Sequence, residues 1–458
     1  MATIPSFQVF HRANVLSRRL WSSILRPPSH FKRITPYSFC YSTPGEPWSL
    51  QIASRRPVLG ISRSFTTTSR LQSQHPKTSS GPFTYAISAS YSSKHDQLNL
   101  SANLYTYDPY RRLTTTITES HWSERKFLRP RSGQDAFFVS AVGPPAAPSN
   151  IASNGSQQIA FGVVDGVGGW EDVGVDPADF SHALCDYMAS ASTHYPDSFG
   201  GSANAPHPLR PTPLLELAHQ SVQQDHRIRA GGSTACVAVA STTGFLDVAN
   251  LGDSGYAHLS PFRLNFVSLP QTHAFNTPFQ LSKLPRKLAA QTALFGGQHY
   301  AEQPGDAQVS RRELRHGDVL VFATDGVWDN LSPEDVLRVT CRVMVGMGGW
   351  VVRPADGAVD VAAGFAALAM GGGASTSMLE AGGEEEEEFD AGSGGKIAGL
   401  SAVLASTITR EAKEASLNQN RDGPFAREVQ RLYPLENWSG GKPDDICTLV
   451  VVAVQEGL

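Results

Sequence analysis

Two rhythms of apolar and polar positions run along the chain. The first is a set of short apolar runs, which predict buried strands. They lie at Phe83–Ile87, Asp135–Val139, Ile159–Val164, Thr234–Ala240, Phe245–Asn250, Tyr256–Leu259, Leu264–Leu269, Asp318–Ala323 and Asp445–Val454. The second is helical spacing. Phe180, Leu184, Tyr187 and Met188 mark one face of a helix over Pro177–Thr193. Further helices are predicted over Leu214–Arg227, Pro333–Val345 and Ile397–Gln419. Ser332 is placed to cap the third, with Asp335 in its first turn. Many short strands with helices grouped between them predict an α+β fold, not alternating βαβ units.

Between these elements the chain is rich in breakers. Of 458 residues, 41 are Gly and 30 are Pro. They gather near 143–158, 197–213 and 346–396, which read as loops or insertions. The last contains Glu384 to Glu388; adjacent like charges cannot pack, so this Gly/Glu-rich insertion is expected to be disordered. The remaining ordered residues suit one domain over 82–456.

Charge changes the picture at the N-terminus. Net charge is only -4, so nucleic acid is not the expected partner. Up to His95, however, Glu46 is the sole carboxylate, against Arg12, Arg18, Arg19, Arg26, Lys32, Arg33 and further basic residues. An Arg-rich, Ser-rich, acid-poor start is the composition of a mitochondrial transit peptide. Residues 1–65 are assigned to it, with cleavage near Ser64 or Phe65, and 66–81 to a linker. Without a stop-transfer segment the matrix is favoured. No apolar run is long enough for a transmembrane helix. Cys40, Cys185, Cys236, Cys341 and Cys447 show neither CxxC nor paired spacing, which excludes zinc-finger and disulfide-framework readings.

The candidate chemistry lies in four Asp-bearing turns. They are Asp165-Gly166-Val167-Gly168-Gly169, Gly252-Asp253-Ser254-Gly255, Asp325-Gly326-Val327-Trp328-Asp329 and Lys442-Pro443-Asp444-Asp445. Three adjoin strongly apolar strands, so each carboxylate would stand at the edge of a core. Glycine beside it lets backbone carbonyls approach an ion. Oxygen donors with no His or Cys partner suit Mg²⁺ or Mn²⁺. A single Asp-Gly is more often a hairpin turn; four at core-strand ends point to a metal site.

The segments FGVVDGVGGW (161–170), GGSTACVAV (231–239), ANLGDSG (249–255), FNTPFQLS (275–282), VLVFATDGVWDNL (319–331) and KPDDI (442–446) occur in this order. Together they resemble the motifs of the metal-dependent serine/threonine protein phosphatases of the 2C type, in particular their mitochondrial branch. The resemblance implies a four-layer αββα sandwich of two antiparallel sheets. It also implies a centre of two Mn²⁺ or Mg²⁺ ions, bridged by Asp165. Gly166 would offer its carbonyl to one ion, and Asp325 and Asp444 would complete the other. Asp253 and Asp329 match positions for a third ion in some members, and Asp135 matches a retained acid. Arg131, or else Arg129, would hold the substrate phosphate. The implied substrates are phosphorylated mitochondrial proteins, attacked by an activated water without a phosphoenzyme, and the enzyme is expected to be a monomer.

Two residues depart from the pattern. Gln134 stands where a second acid is expected, and Val167 where many members carry a His. They keep two alternatives open: a phosphatase-like binding protein with little activity, or a hydrolase of small phosphorylated molecules. Gly252-Asp253-Ser254-Gly255 also resembles the serine segment of trypsin-like proteases, but no His context supports a triad. His273 is expected to make a loop backbone hydrogen bond, and Trp170 and Trp328 to pack beneath the site.

Overall fold

The computed structural model describes residues 81–108, 126–143, 158–205, 207–285, 300–371 and 399–457. The chain divides into Met1–Ser73 and Gln74–Leu458. The expected leader, nearly all of the linker, most of the 143–158 loop and Glu384–Glu388 lie outside the described residues.

In chain order the strands are β1 (Phe83–Ser92), β2 (Leu104–Thr106), β3 (Asp135–Ala141), β4 (Ile159–Asp165), β5 (Gly231–Ser233), β6 (Ala235–Ala240), β7 (Phe245–Leu251), β8 (Gly255–Ser260) and β9 (Arg263–Val267). They continue as β10 (Thr272–Ala274), β11 (Thr277–Pro278), β12 (Leu281–Lys283), β13 (Gln308–Glu313), β14 (Val319–Ala323), β15 (Trp350–Val352), β16 (Val359–Val361) and β17 (Ile446–Gln455). The helices are α1 (Pro177–Thr193), α2 (Pro211–Gln224), α3 (Asp325–Trp328), α4 (Pro333–Gly346), α5 (Phe365–Ala369), α6 (Leu400–Leu417) and α7 (Pro424–Leu432).

Two antiparallel sheets form the centre. One runs β2-β1-β17-β14-β8-β9 and the other β13-β7-β6-β4-β3. Their facing sides share a core of Tyr85, Ile87, Phe161, Val163, Val248, Tyr256, Leu320, Phe322 and Leu449. Phe161 meets Phe322 edge-on at 5.2 Å, and Tyr256 stacks on Phe322 at 5.1 Å. The outer face of the first sheet packs Val319, Val321 and Val450 against Val336, Met344, Leu404 and Ile408 of α4 and α6. The outer face of the second packs Phe138, Val164 and Val237 against Phe180, Leu184, Met188 and Leu215 of α1 and α2. This is the expected αββα sandwich. It also explains the unbroken apolar runs. A strand buried on both faces has no solvent side, so alternation disappears even in an antiparallel sheet.

Helix α1 spans the predicted residues, started by the Asp176 side chain accepting from the Ala178 N–H and by Pro177 at the first position. Ser332 and Asp335 form a reciprocal capping box on α4. The edge strand β13 was not foreseen. Its sequence QVSRRE is polar and half exposed, as an edge allows. The span assigned to the disordered insertion begins with ordered structure. Trp350 and Phe365 are fully buried in the α4–α6 layer, and Trp350 Nε1 donates to the Gly317 carbonyl at 3.2 Å. Large apolar side chains anchor residues 346–371 despite the Gly-rich composition. Tertiary burial outweighs local propensity there.

Candidate metal centre

The antiparallel register gathers particular strand ends at one edge of the sandwich. Asp135 at the start of β3 is the register partner of Asp165 at the end of β4. Ala323 at the end of β14 pairs with Thr448 near the start of β17 and with Gly255 at the start of β8. Gly166 bridges Ser233. The four Asp turns are therefore neighbours, although Asp135 and Asp445 are far apart in sequence. None of the four is a simple two-strand hairpin. Asp325 opens α3, and Gly252-Asp253-Ser254 carries the chain from β7 in one sheet to β8 in the other.

Close backbone approach requires glycine at two of these places. A Cβ on Gly326 would lie 1.9 Å from the Asp445 carbonyl oxygen. Gly133, at φ +71°, would drive a Cβ to 2.3 Å from the Asp445 carboxylate. That carboxylate accepts from the backbone N–H groups of Lys94 at 2.6 Å and Gln134 at 2.7 Å. Asp445 thus braces the turns.

Thr324 Oγ1 donates to Asp135 Oδ2 at 2.7 Å and accepts from the Cys447 N–H at 3.0 Å, linking the two sheets beneath the site. Thr234 Oγ1 accepts from the Asp165 N–H at 3.1 Å and shares a 2.7 Å contact with Ser254 Oγ. Ser254 is 1% exposed, a buried turn residue and no protease nucleophile.

The electrostatics follow from this crowding. Burial, then the charges of neighbouring aspartates, holds Asp165 well above the usual carboxylate range. Asp135 and Asp253 are raised by the same causes, Asp135 despite its Thr324 hydrogen bond. Burial pushes Asp329 up to about 7 against the pull of Lys442. Asp444 goes the other way: burial would raise it, but Lys442 and Lys94 outweigh that and lower it. Asp253 Oδ1 is buried with no hydrogen-bond partner. Crowded, partly orphaned carboxylates of this kind need protons or cations, which fits oxygen-ligated Mn²⁺ or Mg²⁺.

One cation is already part of the chain. Lys442 Nζ lies 2.7 Å from Asp325 Oδ2, 2.5 Å from Asp329 Oδ2 and 3.1 Å from Asp444 Oδ2. Burial works against its charge, but the aspartates outweigh burial and hold its pKa well above the ordinary lysine value. Among the described residues no three His, Cys, Asp or Glu side chains stand as a ready-made metal cage. Sequence reasoning missed this lysine, although it sits inside the KPDD segment. A basic residue two positions from a candidate ligand was the available signal. Asn330 was also missed. Its amide spans the Gly326 and Lys442 carbonyls, each at 2.9 Å, and its oxygen accepts from the Lys442 N–H at 2.9 Å.

The remaining expected residues meet other partners or solvent. Arg131 is exposed and makes no ion pair among the described residues. Arg129 binds Asp179 on α1 at 2.8 Å. The Gln134 amide donates to Glu171 at 2.7 Å, while its backbone carbonyl accepts from the Gly166 N–H at 3.1 Å. Its contribution is to hold the Asp165-Gly166 turn. His273 makes a side-chain contact instead of the expected backbone bond. It meets Glu302 Oε1 at 2.8 Å and lies stacked with Phe279 and Tyr300. Trp328 packs on the α4–α6 core and donates to the Ala323 carbonyl at 2.9 Å. Trp170 donates to Gln280 Oε1 at 3.0 Å.

No family model matches the chain. Curated proteins do. "Protein phosphatase 2C homolog 7, mitochondrial" of Saccharomyces cerevisiae is 31% identical over 257 residues, covering 56% of this chain and 64% of that protein. "Protein phosphatase PTC7 homolog fig" of Drosophila melanogaster is 30% identical over 353 residues, covering 76% of this chain and 86% of that one. Among solved structures, that of the photosystem II phosphatase PBCP covers 69% of this chain and 98% of its own, at 20% identity and a TM-score of 0.43. With 86% of the fly relative covered, the chain belongs to the metal-dependent serine/threonine protein phosphatases of the 2C type, on the branch that holds the yeast and fly proteins.

Proposed function

We propose that the protein hydrolyses phosphoserine and phosphothreonine in mitochondrial proteins, at a centre of two Mn²⁺ or Mg²⁺ ions. The observation that carries this reading is the convergence of Asp165, Asp325 and Asp444 at one sandwich edge, with burial and mutual repulsion raising Asp165.

When bound, the ions supply an acidified water and positive charge for the phosphoryl oxygens. Asp165 would serve both ions and the Gly166 carbonyl one of them. Asp325 and Asp444 would hold the other, with Asp253 and Asp329 available to a third. Asp135, fixed by Thr324, would orient water between these groups. Arg131, exposed and unpaired among the described residues, is free to meet a substrate phosphate. Val167 carries no exchangeable proton on its side chain, so water or another residue would protonate the leaving oxygen. In this reading residues 1–65 are a transit peptide, removed on entry to the matrix, and the catalytic domain acts as a monomer.

The test is dephosphorylation of a phosphothreonine peptide by the chain from about residue 66. Turnover is expected with Mn²⁺ or Mg²⁺ and none in excess EDTA. Metal-independent turnover refutes the centre. A preference for sugar phosphates over phosphopeptides in the same assay refutes the substrate class. A fluorescent reporter carrying residues 1–80 should enter mitochondria, and a cytosolic one refutes the leader.

A further inference from the structure

We infer that Lys442 is a tethered counter-ion of the acidic centre: its single charge is shared among Asp325, Asp329 and Asp444 in the metal-free protein and competes with divalent metal for them. This rests on the metal-centre reading above and adds to it a residue that sets how tightly metal is held.

The geometry is specific. One ammonium touches the Oδ2 atoms of three carboxylates that come from two different turns, at 2.5–3.1 Å. Its side chain is only 13% exposed, so water screens these contacts weakly. The backbone that carries it is fixed. Asn330 clamps the Lys442 N–H and carbonyl together, both at 2.9 Å. Neighbouring Gly441 lies so close to α6 that a Cβ would come within 2.1 Å of the Ala415 carbonyl oxygen. Pro443 has a fixed φ and disfavours the helical region for Lys442 before it. The loop is therefore built to deliver this side chain, and only the flexible lysine stem can move.

An Mg²⁺ ion sits about 2.0–2.1 Å from a carboxylate oxygen. An ion bound through the same Oδ2 atoms of Asp325 and Asp444 would stand against the ammonium with like charge at very short range. One of the two must leave. Two further partners lie on one side of the ammonium: Nζ is 3.3 Å from Asn276 Oδ1 and 5.0 Å from the centre of the Phe425 ring, a cation–π distance. Withdrawal toward that side would keep a partner for the ammonium while freeing the carboxylates.

The experiment compares full-length wild type with Lys442→Met and Lys442→Arg. Mn²⁺ binding is followed by calorimetry, Mn²⁺ release by an EDTA chase, and Tm with and without metal. Lys442→Met is expected to bind Mn²⁺ about tenfold tighter or more, since a like charge is removed, and to release it more slowly. Its Tm should fall in EDTA and recover in saturating Mn²⁺, whereas Lys442→Arg keeps the EDTA Tm of wild type. If Lys442→Met does not fold in EDTA, protein refolded in Mn²⁺ decides through the chase: slower release supports the inference, and equal or faster release overturns it. Equal or weaker Mn²⁺ binding by Lys442→Met also overturns it, since the lysine then stays beside the loaded ions. Binding by neither protein overturns both this inference and the metal-centre reading; equal binding by both leaves that reading standing.

Discussion

Two kinds of buried or half-buried carboxylate occur in this molecule. On the scaffold, Asp225 accepts from the Arg227 backbone and guanidinium at 2.8–3.0 Å and from the Tyr187 hydroxyl at 2.9 Å. Burial would raise its pKa, but these partners outweigh burial and lower it. Asp335 behaves alike: Ser332 and Arg421 offset its burial and leave it below its ordinary value. At the sandwich edge, Asp135, Asp165 and Asp253 are raised, first by burial and then by the negative charges of neighbouring aspartates. The scaffold acids have their donors within the fold. The edge acids are held in place by hydrogen bonds to backbone and hydroxyl groups but left short of charge compensation. That shortage is what a site for an external cation requires.

Substitutions can break this contrast. The largest effect is expected from Asp165→Asn. Phosphopeptide turnover should fall about 10³-fold or more, as for loss of a group acting only in the reaction. Its Tm in EDTA should hold or rise, because a repelled buried charge is gone. A large loss of Tm would make Asp165 a scaffold acid and end the distinction.

Phe322→Ala tests the scaffold from the apolar side. Removing the ring between Phe161 and Tyr256 should cost about 3–5 kcal/mol of unfolding free energy, measured by urea titration. Mn²⁺ affinity of the fraction that remains folded should be unchanged.

Asp225→Asn should cost about 1–3 kcal/mol at neutral pH by stripping a charged partner from Arg227 and Tyr187. The sign with pH follows from its lowered pKa. Its contribution is present above the unfolded value of about 3.9 and is lost as pH falls through the folded value. The Tm gap between variant and wild type should therefore close in acid. A gap that widens there would contradict the pairing.

The smallest effect is expected from Asp335→Ala, about 1 kcal/mol from the α4 capping box. Far-ultraviolet circular dichroism during thermal unfolding would report it, with turnover unaffected.

Much of this was legible in the residues themselves. Pro177–Thr193 and the Ser332 cap matched because local signals agreed with the tertiary demand. The buried strands were visible because each is apolar on both faces. β13 was not, since an edge strand tolerates polar residues on both sides. Residues 346–371 were obscured by glycine and alanine, whose composition hides how far Trp350 and Phe365 reach into the core. At the centre, the aspartate turns were legible as motifs, but Lys442 and Asn330 were not. Their roles depend on contacts between segments more than a hundred residues apart.

Local periodicity, capping and glycine placement determined most of the core strands, the main helices and which aspartates end core strands, while the two helix-covered sheets followed only from the resemblance to the phosphatase family. Only the tertiary structure decided that one edge collects those aspartates, that Arg131 makes no ion pair with them among the described residues, and that Lys442 lies in their midst. The reason is physical. Which charge meets which is set by strand register and by burial, and neither quantity exists until the two sheets have closed on each other.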